Sequence, residues 1–192
     1  MRQAFGILAL VCCFCSCVCA EPRTLALFLK HSGGLTAETT EVMRAELQRL
    51  LDPAGIDVIW RDSTDRRTGE AFDLVVVGSI EGSCTAPADL AEKLDPHALV
   101  HLADTSISEN RILPFFVVDC SHVRWALGDE TGPPVVGRAL ARIIGHELYH
   151  IITKTAEHRR AGIAKAAFSV QDLVGPGLDF DSRSLAQMRP IS

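Results

Sequence analysis

Residues 136–153 read VGRALARIIGHELYHIIT, and the interpretation of the whole chain depends on this stretch. Four apolar residues recur in it at intervals of three and four, which is the spacing of one face of an α-helix. This apolar stripe consists of Leu140, Ile144, Leu148 and Ile151. His146 and His150 lie four residues apart and therefore project from nearly one side of that helix, away from the stripe. The stretch predicts a long helix that packs on a sheet and turns both imidazoles toward a cleft.

The histidines and the acid beside them have the arrangement of a zinc-hydrolase site. Two imidazoles one helical turn apart can bind the same tetrahedral zinc ion. Glu147 lies about 100° around the helix from His146, which places its carboxylate beside the metal rather than on it. From there it can take a proton from zinc-bound water and pass it to a leaving amine. We therefore predict an enzyme in which His146 and His150 bind one Zn²⁺ and Glu147 is the catalytic base.

A third metal ligand is expected after the helix, because a catalytic zinc keeps three protein ligands and one open position. We predict His158, which follows His150 just beyond a predicted helix end near residues 153–155. A ligand beyond a turn can swing back under the first two. Carboxylates from later elements also serve as third ligands. The alternatives of this kind are Glu157, Asp172 and Asp179.

The chain before the long helix predicts an α/β fold. Apolar runs bounded by turn residues predict strands. The predicted strands are residues 24–30, 56–60, 72–77, 98–103 and 113–118. An amphipathic helix is predicted at residues 36–51, ended by DPAG at 52–55, and a shorter one at 88–94. TGPP at 131–134 is predicted to be a break. We expect a mixed sheet of about five strands covered by helices, then the long site helix.

The chain beyond the long helix is predicted to be irregular, with two short helices. Ser169 and Asp172 have the spacing of a capping box. Asp181 is a candidate cap for a last short helix that runs through Met188.

Composition indicates a globular protein of one domain. The chain has 192 residues, of which 47% are hydrophobic and 22% charged, and this length fits a single core. The formal net charge is −5, and no run of Lys or Arg forms a basic stripe. Nucleic acid is therefore excluded as an expected partner.

The N-terminus resembles a secretory signal. Arg2 precedes an apolar stretch at residues 7–18, and small residues follow up to Ala20. This pattern predicts a signal peptide at residues 1–20, cleaved to leave one domain at 21–192. The protein is then expected to be secreted, or to lie in the periplasm or cell envelope. Membrane association is expected only if the segment is retained as an anchor or a cysteine in it is lipidated.

Cleavage after Ala20 would leave two cysteines, Cys84 and Cys120, of the 7 in the chain. In an exported domain, two cysteines suggest one disulfide. Two separate buried thiols are the alternative, since sequence does not show whether the residues are close enough to bond.

HELYH resembles the zincin metallopeptidases, and the order of elements before it resembles the metzincin group. In that group a glycine follows the second histidine by three residues and a third histidine by six. Here Thr153 and Ala156 occupy those positions, and His158 comes later. HELYH with His158 and the Gly-Ile-Ala of residues 162–164 is more similar to small exported bacterial zincin-like proteins. The resemblance implies a zincin-like fold of the α+β type, a zinc-dependent protease activity and a peptide or protein substrate.

The resemblance also implies roles for other parts of the chain. An extended peptide would add to the sheet edge at predicted strand 98–103. Met188 would be a candidate for a methionine turn under the metal, with a core methionine as the alternative. Many zincins have a second electrophile, but the only tyrosine, Tyr149, lies inside the motif. His122 is a candidate for that role, with a plain surface or core histidine as the alternative.

A non-catalytic zinc- or peptide-binding module on a zincin scaffold is the alternative function. A damaged base would mark such a module, and Glu147 is intact. The three other histidines outside the motif, His31, His97 and His101, have no spacing that suggests ligation. No His-rich or Cys-rich tract of the expected mature chain suggests metal storage. The enzyme hypothesis is therefore preferred.

Overall fold

A computed structural model describes the protein at residues 22–62, 69–84, 101–128 and 132–189. Its centre is a five-stranded sheet in the order β2-β1-β3-β5-β4. The strands are β1 (Arg23–His31), β2 (Ile56–Arg61), β3 (Leu74–Glu81), β4 (Ala103–Ser108) and β5 (Arg111–Asp119). β4 runs antiparallel to β5, and the other neighbours are parallel. The mixed sheet and the α/β fold class are as predicted.

Helix α1 (Ala37–Leu51) follows β1 and packs against the long helix. Thr36 caps it, because its hydroxyl accepts a hydrogen bond from the Thr39 amide. Its buried face consists of Thr39, Met43, Leu47, Leu50 and Leu51. A short 3-10 turn at Asp52–Ala54 and the left-handed Gly55, with φ +71°, end the helix and lead into β2. This end agrees with the predicted stop.

The long helix spans Pro133–Thr153 and is numbered α3, because the shorter helix α2 (Cys120–Leu127) precedes it. The predicted apolar stripe is fully buried in the core. The helix begins three residues earlier than predicted, because Pro133 and Pro134 occupy its first turn, where the missing amide hydrogens have no helical partner to lose. Lys154, in the left-handed region at φ +55°, ends it.

The fourth strand does not lie where we predicted it. The structure has β4 at Ala103–Ser108, after the predicted strand 98–103, whose residues 98–100 lie outside the described part of the chain. Glu109 and Asn110, with φ of 50° and 60°, turn β4 directly into β5. Both positive φ values are typical of a tight hairpin turn. The polar sequence ADTSIS concealed this strand, because only one of its faces meets the core.

The sequence prediction also missed helix α2 (Cys120–Leu127), which directly follows β5. The Asp119 carboxylate caps it by accepting from the His122 amide. A Cys84–Cys120 disulfide, with a Cα–Cα distance of 5.2 Å, ties the start of this helix to the chain after β3. Of the two alternatives for these cysteines, a disulfide or two separate thiols, the structure has the disulfide. The predicted helix at 88–94 lies outside the described residues.

The C-terminal part follows the prediction closely. Helix α4 (Val170–Val174) begins with the expected capping box of Ser169 and Asp172. Helix α5 (Ser182–Met188) is capped by Asp181. Met188 is fully buried in the hydrophobic core and does not line the cleft, so it is a core methionine. Among the described residues, no helix is long and apolar enough to span a bilayer.

Candidate metal centre

The structure brings His146, His150 and His158 together. Three ring nitrogens, one from each histidine, lie within 4.8 Å of one another. The centroid of the His146 ring lies 4.7 Å from that of His150 and 5.1 Å from that of His158. The first two residues project from one side of α3, and the third comes from the loop after it. Three imidazoles from two elements therefore converge on one point.

Backbone carbonyls fix the orientation of the two helical imidazoles. His146 Nδ1 lies 2.8 Å from the Ile163 carbonyl oxygen, and His150 Nδ1 lies 2.7 Å from that of Thr155. A carbonyl only accepts hydrogen bonds, so each Nδ1 carries a proton and donates it. In the neutral rings, both Nε2 atoms then have free lone pairs. This is the ligand tautomer and orientation usual for zinc-binding histidines.

The two free nitrogens face each other. His146 Nε2 lies 3.1 Å from His150 Nε2. Burial lowers the pKa of His146 to about 4 and also lowers the pKa of His150, so both rings are neutral near pH 7. Two lone pairs at this distance repel each other unless a cation lies between them. The donor set therefore fits a first-row divalent ion such as zinc.

Glu147 lies next to this cluster and is almost completely buried, with 5% of its surface exposed. The Thr105 hydroxyl donates a hydrogen bond of 2.5 Å to Glu147 Oε2. Burial raises the pKa of Glu147 to about 7, although the Thr105 hydrogen bond opposes the shift. A carboxyl with such a pKa can accept and release a proton near neutral pH.

A cleft of about 740 Å³ opens in front of the histidines and Glu147. One wall is β4, whose outer edge is unpaired among the described residues because β4 ends the sheet. The other walls come from β5, α2, α3, α4 and the segments that follow α3 and precede α4. Much of their lining is apolar and includes Ile112, Trp125, Ile143, Phe168 and Leu173. The arrangement can hold an extended chain beside the metal ligands, with space for an apolar side chain.

The three alternative carboxylate ligands lie elsewhere. Asp172 accepts from Ser169 in the capping box and pairs with Lys165 at 2.5 Å. Asp179 pairs with Arg49, and Glu157 is exposed to solvent. None of these carboxylates belongs to the histidine cluster in the described part of the chain.

Other candidates are also away from the cluster. The Tyr149 hydroxyl contacts Arg159 and Gln187 instead of the cleft. His122 Nδ1 lies 2.8 Å from the His101 carbonyl oxygen, and His122 does not line the cleft. His31 is exposed, and His97 lies outside the described residues. His101 lines the cleft mouth but is not part of the cluster.

A solved structure has a fold similar to that of this chain. The solved structure of archaemetzincin from Methanopyrus kandleri is similar to this chain, with a TM-score of 0.52. The match covers 88% of this chain and 94% of the other, at 13% sequence identity. The chain has the fold of archaemetzincin. The sequence itself matches no protein-family model and no curated protein.

Within the archaemetzincin fold, Thr105 is the site residue that the sequence did not reveal. It lies 42 positions before Glu147 and reaches it only because β4 runs beside α3. A correct placement of β4 would have indicated the contact, since Thr105 points to the core side of the sheet. The carbonyls of Thr155 and Ile163 could not be found from sequence, because backbone acceptors carry no residue signature.

Proposed function

We propose that the protein is a zinc-dependent peptidase. In this proposal His146, His150 and His158 bind one Zn²⁺, and Glu147 is the catalytic base. The observation that carries the proposal is the convergence of three imidazoles beside a buried, protonatable carboxylate in an open cleft. The archaemetzincin fold supports it, because the name of that protein places it among the metzincins.

Zinc, when bound, would lower the pKa of a water ligand to roughly 7 and polarise the substrate carbonyl. Side chains of the protein would transfer the protons. Thr105 holds Glu147 Oε2 by its hydrogen bond, whereas Oε1 makes no hydrogen bond with the described residues. Glu147 can therefore receive a proton at Oε1 without losing the hydrogen bond from Thr105 to Oε2. The same carboxyl can then release that proton to a leaving amine, since burial holds its pKa near 7.

The substrate in this proposal is a peptide or protein bound in extended form. The edge of β4 that pairs with no described strand runs along the cleft, and Thr105 on β4 contacts Glu147. A peptide that adds to this edge would have its backbone held by main-chain hydrogen bonds. Its scissile bond would then lie beside the three imidazoles, and side chains of alternate residues would face the apolar walls.

Export is the second part of the proposal. The sequence of residues 1–20 has the pattern of a signal peptide. The Cys84–Cys120 disulfide supports it, because disulfides persist mainly in oxidising compartments. N-terminal sequencing of protein from the culture medium or cell envelope tests this part, with Glu21 as the expected first residue. A chain that stays in the cytoplasm with Met1 or Arg2 at its start contradicts it.

Glu147→Gln tests the catalytic proposal. Glutamine has the same shape and still accepts from Thr105, but it cannot take up a proton. We expect one zinc per chain in both proteins, and a loss of peptide cleavage of about 10²- to 10⁴-fold in the variant. Zinc is measured by mass spectrometry of the metal, and cleavage with a peptide library.

Glu157→Gln is the matched control, because Glu157 is an exposed glutamate outside the cluster. It should cleave as the wild type does. Full activity of Glu147→Gln would contradict the assigned base. Zinc binding by the wild type without any cleavage would favour the non-catalytic binding module.

A further inference from the structure

We infer that Arg159 is a positioning residue for the metal centre, which holds in place the loop that presents His158. The inference rests on the proposed zinc site and deepens it. Arg159 does not line the cleft. It would act through His158, which directly precedes it in the chain.

His158 differs from the other two imidazoles in how it is held. His146 and His150 each donate from Nδ1 to a backbone carbonyl, and both are buried. His158 is exposed, and its ring makes no hydrogen bond with the described residues. The ring only stacks beside His146 and meets His150 edge-on. The position of its donor atom therefore depends on the backbone that carries it.

The Arg159 side chain anchors that backbone to two helices. Arg159 Nε donates to the Tyr149 hydroxyl oxygen at 3.0 Å, and the Tyr149 hydroxyl donates to Gln187 Oε1 at 3.1 Å. The guanidinium also donates to Gln187 Oε1. Tyr149 is fully buried on α3 beside His150, and Gln187 belongs to α5. The three polar groups thus form a closed triangle between the ligand loop and the core.

Backbone hydrogen bonds hold the rest of the loop in place. The Arg159 amide donates to the Ala164 carbonyl at 2.7 Å, and the Ile163 amide donates to the Asp179 carbonyl at 3.0 Å. Gly162 has φ +73°, and a Cβ there would lie 2.5 Å from the Asp179 carbonyl oxygen. The Ile163 carbonyl is the one that accepts from His146 Nδ1. The segment after α3 therefore carries His158 and also supplies the carbonyls of Thr155 and Ile163, which orient His150 and His146. The Arg159 side chain anchors the part of this segment next to His158.

Loss of this anchor should weaken zinc binding more than it weakens the fold. Partners that orient metal ligands typically change metal affinity by about 10- to 100-fold when removed. A loosened His158 would increase the zinc dissociation constant, because the ligand must then be ordered when the ion binds. The free energy of unfolding of the metal-free protein would change much less, since Arg159 lies near the surface of the loop.

Arg159→Met tests the inference, with Arg160→Met as the matched control. Methionine keeps much of the apolar stem and removes every donor, and Arg160 is the exposed neighbour. The zinc dissociation constant is measured by competition with a chromophoric chelator, and the unfolding of the metal-free protein by urea. We expect an increase of about 10- to 100-fold for Arg159→Met and less than about twofold for Arg160→Met.

A double-mutant cycle separates positioning from general stability. In a His158→Ala background, Arg159→Met should change zinc affinity by less than about twofold, because the ligand through which it acts is gone. Arg159→Lys should recover part of the affinity, since one ammonium can reach one of the two acceptors. An effect of Arg159→Met that persists undiminished in the His158→Ala background would overturn the inference.

The outcomes distinguish the inference from the function on which it rests. A wild-type chain that binds no zinc overturns both. A wild-type chain that binds zinc, together with an Arg159→Met variant that binds it equally well, overturns only the role of Arg159. If Arg159→Met does not fold, the double variant Tyr149→Phe, Gln187→Met removes both acceptors of the guanidinium, and the same two results then decide.

Discussion

At the residue scale, the site depends on the contact between Thr105 and Glu147. The HELYH sequence predicts the spacing of His146 and His150 and the place of Glu147 beside them, because helix geometry fixes all three. It does not predict the hydroxyl that holds the carboxylate, because that contact joins two elements. The motif therefore indicates the candidate ligands and the candidate base, and the fold determines their environment.

Thr105→Val should reduce cleavage and shift its pH dependence. In the proposed mechanism Glu147 acts as a base when deprotonated, so activity should rise as pH rises through its pKa. Burial raises this pKa and the Thr105 hydrogen bond lowers it. Removal of the hydroxyl should raise the pKa further, so the acid limb of the kcat/KM profile should move to higher pH.

The control for this prediction is Thr105→Ser, which keeps the hydroxyl and should keep the wild-type profile. Zinc content should be unchanged in both variants, because Thr105 does not contact the histidine cluster. A Thr105→Val profile that coincides with the wild-type one, or moves to lower pH, would show that the hydrogen bond does not tune the base.

At the element scale, the close approach of α1 and α3 keeps the site helix on the core. Gly137 makes this approach possible, since a Cβ at that position would lie 2.6 Å from the Thr39 carbonyl oxygen of α1. The sequence predicted both helices by their apolar periodicity. It gave no sign of their contact, because a helical glycine is equally compatible with an exposed position.

Gly137→Ala should therefore destabilise the protein. The added methyl group meets backbone, so the two helices must move apart, at a cost of about 1–3 kcal/mol in the free energy of unfolding. Gly145→Ala is the control in the same helix, where the nearest atom to a Cβ is Leu50 Cδ1 at 3.4 Å. Urea unfolding of the metal-free proteins measures both. Equal or higher stability of Gly137→Ala would contradict the close packing.

The errors of prediction among the elements have physical causes. β4 is an edge strand with a polar sequence, so it lacked the continuous apolar run by which β3 and β5 were recognised. The short helix α2 has no long periodic pattern, and its cap, Asp119, lies at the end of an apolar strand. Both elements line the cleft. The least regular parts of the sequence therefore form much of the predicted binding surface.

At the scale of the whole molecule, the mixed α/β class follows from the order of apolar patterns along the chain, although β4 and α2 lack such a pattern. The disulfide does not follow from that order, because the sequence shows two cysteines but not how far apart they lie in the fold. It joins Cys84 and Cys120 across a sequence separation of 36 residues. The bond thereby links the end of β3 to α2, which contributes Trp125 to the cleft.

Reduction of this disulfide should lower the stability of the entire domain. A cross-link of this span restricts the unfolded chain, and its loss typically costs about 2–4 kcal/mol. Urea unfolding with and without a reducing agent should show the difference in the wild type. The Cys84→Ser, Cys120→Ser double variant is the control and should not respond to the reductant. A wild-type midpoint that reductant leaves unchanged, after complete reduction is verified by thiol titration, would contradict the prediction.

A crystal structure of the zinc-loaded protein, with anomalous data at the zinc edge, tests whether three histidines hold one zinc beside Glu147. We expect a single anomalous peak, with ring nitrogens of His146, His150 and His158 about 2.0–2.1 Å from it. The Glu147 carboxylate should be near the ion but not bound to it. No zinc at this point, or an ion held by other side chains, would contradict the proposed site.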